Sequence, residues 1–141
     1  AGTPEDLYAR PRTAYAADFV GAANIVPVQL SAPVVAGGVA SVQLAGAALQ
    51  ALAPEALPSG KAALIARPER LVLLPDGALA THQLPCTVRR RQYLGARTIY
   101  AVELDDGARL RVESDEQQPA LQVGARARMQ LDPRQTRVVA A

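Results

Sequence analysis

Arg97-Thr98-Ile99-Tyr100-Ala101-Val102-Glu103-Leu104-Asp105-Asp106-Gly107-Ala108-Arg109-Leu110-Arg111-Val112-Glu113 is the stretch on which the fold turns. Two runs rich in β-formers flank Asp105-Asp106-Gly107, whose side chains and glycine suit a tight turn. In the second run Leu110 and Val112 alternate with Arg109, Arg111 and Glu113. A period of two sends successive side chains to opposite faces, so this is an antiparallel hairpin with one face on a core and one in water.

The same period extends outward. Residues 86–94 predict the preceding strand, joined through Gly95. Val123-Gly124 leads into an alternating segment over 125–131, and residues 136–139 close the chain. Upstream, residues 61–66 and 71–74 read as short strands, with Pro75-Asp76-Gly77 as a turn. From Asn24 onward Ile25, Val28 and Leu30 start a further strand. Gly37-Gly38 marks a hairpin turn between 34–36 and the strand that carries Val42 and Leu44 inward. Residues 46–60, broken by Pro54, Pro58 and Gly60, read as a looser link. About eight to ten short strands with frequent turns predict a mainly β chain, a small barrel or sandwich.

The first 22 residues carry a different pattern. Thr3 suits an N-cap, Pro4 the first helical position, and Glu5-Asp6 the positive end of a helix dipole. Arg10-Pro11 ends that helix. A second spans about residues 13–20, with Tyr15 and Phe19 on one face and Gly21 as its stop. The chain opens on Ala1-Gly2-Thr3 without a methionine, and the expectation is a piece excised from a longer protein.

Composition bounds the chemistry. Half of the 141 residues are hydrophobic, but there is no Trp and one Phe, so the core must come from Val, Leu, Ile and Ala. Fifteen basic and 13 acidic residues leave a net charge of +2, too small for a nucleic-acid-binding surface. One cysteine, Cys86, excludes an intrachain disulfide. No run approaches the roughly 18 apolar residues of a membrane-spanning helix.

Chemical motifs are sparse. Ser59-Gly60-Lys61-Ala62 resembles part of a phosphate-binding loop, but Glu55 stands where the first glycine belongs and Ala62 where the magnesium-binding hydroxyl belongs. His82 and Cys86 are too few for a zinc site, and no Asn or Asp nearby orients them as a nucleophile pair. No catalytic, cofactor or metal residue is therefore assigned. Arg89-Arg90-Arg91 is the densest run of charge. It reads either as a candidate contact for an anion or an acidic partner, or as a strand with Arg89 and Arg91 in solvent and Arg90 at its edge.

Three groups of residues, in order, carry a family likeness. Gly2-Thr3-Pro4-Glu5-Asp6-Leu7-Tyr8, Arg10-Pro11, Ala17-Asp18-Phe19-Val20-Gly21 and Asn24 resemble the end of the ATPase domain in ABC import ATPases. Arg67-Pro68-Glu69, followed by an apolar strand, resembles a motif of their C-terminal accessory domain. Tyr93-Leu94-Gly95, then Tyr100, Val102, Leu104, Asp106-Gly107, Leu110, Val112 and Gly124, resemble the second half of the TOBE domain, the transport-associated OB fold.

The resemblance implies an OB-like β-barrel over residues 23–141, preceded at 1–22 by one or two short helices left from the ATPase domain. It implies a non-catalytic regulatory or dimerisation domain of the ATP-binding subunit of a bacterial importer. ATP and magnesium would bind in the missing ATPase domain and not here. The implied partners are that ATPase domain, a second copy and, through the ATPase domain, membrane permease subunits. Nucleic acid is not expected, and the implied location is cytoplasmic, at the inner face of the cell membrane. Arg67 and Glu69 would fix internal geometry. The exit at Asn24-Ile25-Val26-Pro27 is nearer the polyamine, ferric-iron and phosphonate importers than the sugar importers, while the oxyanion motif of related molybdate-binding domains is missing at 86–91. The alternative is a stand-alone OB-like module that binds a small anion or oligonucleotide around Arg89, Arg90 and Arg91.

Overall fold

The computed structural model describes residues 23–115 and 120–141. β1 (Asn24–Leu30), β2 (Val39–Leu44), β3 (Ala47–Leu52), β4 (Gly60–Ala66) and β10 (Thr136–Ala140) close into a barrel in the order β1-β2-β3-β10-β4. β4 pairs with the whole of β1, from Asn24↔Ala66 to Leu30↔Gly60. β10 runs antiparallel to β4 and meets β3 in parallel at Arg137↔Leu52. Alternation fills the interior. Val26, Val28, Leu30, Val42, Leu44, Leu49, Leu64 and Val138 are all buried, while Pro27, Gln29, Ser41 and Gln43 are exposed. Pro27 lies in the part of β1 that β2 leaves unpaired, where its missing N–H costs no bond on that side.

β5 (Val72–Pro75), β6 (Gln83–Leu94), β7 (Arg97–Leu104), β8 (Arg109–Asp115) and β9 (Arg126–Gln130) form a second sheet, in the order β5-β9-β6-β7-β8. Taken from β8, that order repeats the barrel's. Each unit has a three-stranded meander, a fourth strand on the far side of the first, and a fifth beside the fourth. The fifth strands are what interlock the units. β5 precedes the rest of its sheet, and β10 follows the whole second sheet before it closes the barrel. The chain thus crosses between units at 67–71 and again at 131–135. Each crossing holds one turn of 3-10 helix opened by proline, Pro68–Arg70 and Pro133–Gln135. Proline suits that position because its absent N–H would have no helical partner. One hydrophobic cluster runs through both units, from Val26 and Leu64 to Leu84, Val102, Val112 and Met129.

The barrel is closed by hydrogen bonds, whereas in the second sheet β5 and β8 are not paired. Asn24 serves the exposed edge of β8 instead. Its Nδ2 donates to the Arg111 carbonyl at 2.8 Å, and its Oδ1 accepts from the Arg111 N–H at 2.7 Å. The side-chain amide thus does for one residue what a neighbouring strand would do.

The hairpin expected at Gly37-Gly38 is not there. Those residues do turn, with Gly37 at φ 79° and the Gly38 N–H donating to Val35 O at 2.9 Å, but Val34 bridges Leu57 and does not pair with β2. The hairpin is β2–β3, about Ala45 and Gly46, both at positive φ (50° and 81°). A two-residue turn between twisted strands needs that backbone, and alanine does not announce it. The expected link at 46–60 therefore contains β3. Its alanine-rich sequence has weak β propensity and is held by pairing with β2 and by burial of Leu49 and Ala51. The other expected strands are present, and the helices expected within 1–22 lie outside the described residues.

Leu64 is fully buried where the barrel meets the shared core. Leu64→Ala should lower unfolding free energy by about 2–5 kcal/mol in urea titrations. Asn24→Ala should cost about 1–3 kcal/mol through two unmet backbone groups, and Val35→Ala, at an exposed site, less than about 0.5 kcal/mol. A wild-type midpoint for Asn24→Ala would show that the β8 edge does not need the amide.

Candidate functional site

β6 is 12 residues long, but β9 pairs with it only over Gln83–Thr87, so β6 and β7 run on as an arm backed by β8. A bulge between Val88 and Arg90 resets the faces of this arm. Direct cross-strand partners share a face. Arg90 stands opposite Ala101, and Ala101 opposite Arg111, all on the outer face. Arg91 stands opposite buried Tyr100, on the inner face. The arginine triplet is therefore split, and differently from the simple alternation that put Arg89 and Arg91 together in solvent. Arg91 donates to Leu121 O at 3.0 Å, and its guanidinium lies 4.9 Å from the Tyr93 ring centroid. Tyr100 Oη accepts from the Leu121 N–H at 3.1 Å.

The outer face of the sheet is ordered by charge. Glu103 of β7 sits between Arg89 and Arg109. Its Oε2 is 3.1 Å from Arg89 Nε and 3.7 Å from Arg109 Nη2. In the next row Arg90 and Arg111 flank Ala101. Further along, Arg97 Nη1 meets Glu113 Oε1 at 2.6 Å. Arg126 of β9 holds Asp105 with two bonds, 2.7 and 3.1 Å, and also reaches Thr87. Those bonds keep the Asp105 carboxyl below its ordinary range. Sequence reasoning missed Arg109, Arg111, Glu103 and the Arg126–Asp105 pair as parts of one surface. The alternation of 109–113 had placed Arg109 and Arg111 in solvent, but nothing in the sequence gives their register against Arg89 and Arg90.

The other singled-out residues take separate places. Arg67, Pro68 and Glu69 make the outward crossing. Pro68 is buried, and Arg67 Nη1 lies 3.9 Å from Glu69 Oε1 across a partly exposed pair. Glu69 also borders a cavity of about 260 Å³ lined by Arg97, Glu113, Ser114 and Asp115. Tyr93 and Leu94 are exposed near the tip of the arm, where Gly95 takes φ 63°. Asp106 accepts from the Ala108 N–H at 2.9 Å, and Gly107 takes φ 93° in the β7–β8 turn. His82 lies in the turn before β6, at φ 63°, while Cys86 is fully buried among the core residues of β6. Burial pushes the Cys86 thiol up to about 11, against a smaller downward pull from Arg126. Gly60, Lys61 and Ala62 open strand β4, not the helix that a phosphate-binding loop requires. Among the described residues no helix is long and apolar enough to cross a membrane.

Two interlocked five-stranded units, one closed and one open, define an OB-type β protein. The chain belongs to the TOBE domain family, whose model matches residues 64–139. It is 37% identical over 89% of its length to the spermidine/putrescine import ATP-binding protein PotA of Pseudomonas fluorescens, of which it covers 34%. It is 36% identical over 75% of its length to the Fe(3+) ions import ATP-binding protein FbpC of Brucella abortus, covering 28% of that protein. A third relative is the sn-glycerol-3-phosphate import ATP-binding protein UgpC of Chromohalobacter salexigens, 42% identical over 70% of this chain and 25% of its own length. The chain thus spans only 25–34% of the length of these relatives. In fold it is similar to the molybdate-binding protein ModG, with a TM-score of 0.70 and 17% identity, covering 84% of this chain and 96% of that one.

Cys86 gives a test of the core. A thiol whose folded pKa lies above its unfolded value supports the fold below the unfolded pKa, about 8.5. That support is lost as pH rises toward 11. The urea midpoint of the wild type should fall faster than that of Cys86→Ala above about pH 8.5. At pH 8 the native thiol should react with a thiol reagent only as fast as the protein opens; prompt reaction would place Cys86 at the surface.

Proposed function

We propose that residues 23–141 are the non-catalytic C-terminal accessory domain of the ATP-binding subunit of a bacterial ABC importer. The observation that carries this reading is the pattern of overlap. The chain aligns with import ATP-binding proteins over 70–89% of its own length and fills only 25–34% of theirs. In this reading ATP and magnesium bind in the ATPase domain of the whole protein, and the accessory domain regulates or pairs subunits. Its partners are that ATPase domain, a second copy and, indirectly, the permease at the inner face of the cell membrane.

Three solutes argue against a solute-specific role for the shared region. The relatives are named for polyamines, ferric ions and glycerol-3-phosphate, which differ in charge, size and chemistry. One sheet surface cannot be complementary to all three. A role common to all is mechanical or regulatory. The fold is compatible with this, because two crossings and one core join the barrel to the sheet.

An antibody raised against this chain should detect, in membrane fractions of the source cells, a polypeptide about three times its 14.8 kDa mass. The chain alone should give no heat of binding with magnesium-ATP, and it should associate with itself in sedimentation velocity. A soluble band at 14.8 kDa would sink the accessory-domain reading, and a monomer at all concentrations would remove the pairing role.

A further inference from the structure

Asp-Gly occurs twice in the chain, at Asp76-Gly77 and at Asp106-Gly107. Glycine has no Cβ to shield its backbone nitrogen from the aspartate side chain before it. That nitrogen and that carboxyl group can therefore react with each other, and the fold treats the two copies differently. At Asp106 it holds the reacting groups apart. The Gly107 N–H donates to Leu104 O at 2.9 Å, and the Asp106 carboxylate accepts from the Ala108 N–H at 2.9 Å, both within the tight β7–β8 turn. At Asp76 it brings them together. The Gly77 N–H donates to Asp76 Oδ1 at 3.0 Å, and it has no other acceptor among the described residues. Residues 75–81, at the end of β5 and in the link to β6, are all exposed, so water reaches both groups.

We propose that Asp76-Gly77 is a self-modifying site, where Asp76 converts to isoaspartate in the folded protein while Asp106 is protected. Gly77 N gives its proton to solvent and bonds to Asp76 Cγ. One Cγ–O bond breaks, and that oxygen leaves as water, which closes a succinimide ring. Water then adds to either ring carbonyl. Opening at Cγ restores aspartate. Opening at the α-carbonyl leaves isoaspartate, whose main chain runs through the side-chain carbons and whose α-carboxylate is free. The net change is an isomerisation that takes no oxidant, cofactor or second protein. Contact between nitrogen and carboxyl in the ground state removes the search that otherwise precedes attack. At Asp106 the same step has to wait until the turn opens. The modification also acts on Arg128 of β9, whose Nε donates to Pro75 O at 2.8 Å and whose Nη1 donates to Ala78 O at 3.1 Å. Isoaspartate adds a carbon to the backbone between those two carbonyls, so it alters the span that this guanidinium bridges. This inference does not depend on the accessory-domain reading.

The test is to hold the 141-residue chain in warm neutral buffer and digest it with trypsin. Cleavage after arginine puts the two sites in separate peptides, 71–89 and 98–109. Isoaspartate in each is then counted with isoaspartyl methyltransferase and labelled S-adenosylmethionine, which esterify the free α-carboxylate. In the folded protein the Asp76 peptide should gain isoaspartate about tenfold or more faster than the Asp106 peptide. In concentrated urea the two rates should come within about twofold of each other. Gly77→Ala should slow the reaction at Asp76 about tenfold or more. Its Cβ would meet Arg128 at 3.5 Å, an ordinary contact, and Gly77 does not take a positive φ, so this variant should fold. Equal rates in the folded protein, a faster reaction at Asp106, or no methylated product at Asp76 would overturn the proposal. A tenfold difference that persists in urea would overturn the fold as its cause, and an unchanged rate in Gly77→Ala would overturn attack by the Gly77 nitrogen. The wild-type comparison of the two peptides decides the matter should Gly77→Ala fail to fold.

Discussion

The barrel cannot close until the last strand arrives. Four of its strands are complete at Ala66, yet β10 has to lie between β3 and β4, and the whole second sheet intervenes in the chain. Pairings of such long sequence separation gain nothing until the loop between them is closed. The second sheet is that loop, and it folds into something that holds its ends near each other. The two crossings are short and stiff for the same reason. At the return, Asp132 accepts from the Arg134 N–H at 2.9 Å, and Thr136 Oγ1 donates to Asp132 O at 2.8 Å. These local bonds direct the chain into β10, and one continuous core joins the two units.

Closure of one unit leaves the other with an edge. A strand with no neighbouring strand on one side, such as β8, can invite another strand. At Arg111 a side chain takes the place of that neighbour. Asn24 combines a donor and an acceptor in one planar group, which a carboxylate or hydroxyl of its size does not offer in the same geometry. Because Asn24 is also the first residue of β1, the bond ties the start of the barrel to the edge strand of the sheet. The short helical turn of the outward crossing also packs against β8, so the Arg67-Pro68-Glu69 motif lies where the two units meet.

Much of this was legible where one face is buried and the other wet. The alternation in 109–113 and the turn at Asp105-Asp106-Gly107 gave β7 and β8 outright, because a one-residue slip would send Leu110 and Val112 into water. Legibility failed where backbone geometry is set by pairing and not by residue type. Ala45 takes a left-handed conformation that glycine or asparagine usually signals, so the residue types point to Gly37-Gly38 instead. The alanines of β3 carry little preference of their own and are strand because β2 lies beside them. The interlocking was invisible, since each crossing looks like an ordinary Pro-containing loop. The Arg-Pro-Glu and Tyr-Leu-Gly motifs were found as sequences, but their places, a crossing turn and an arm tip, came only with the topology.

The bulge after Val88 decides the chemistry of the long hairpin. Strict alternation would turn Arg90 inward and leave Arg89 and Arg91 outside. One extra residue keeps Arg89 and Arg90 together on the outer face and sends Arg91 inward. Arg91 is tolerable there because Leu121 O and the Tyr93 ring meet its guanidinium. The bulge thus places two consecutive arginines on the water-facing side while one arginine still faces inward opposite Tyr100. OB-type folds host many functions, so the barrel itself does not choose one. The distribution of arginines that this bulge imposes is a property of the present chain, and the chemistry of any partner at this face has to match it.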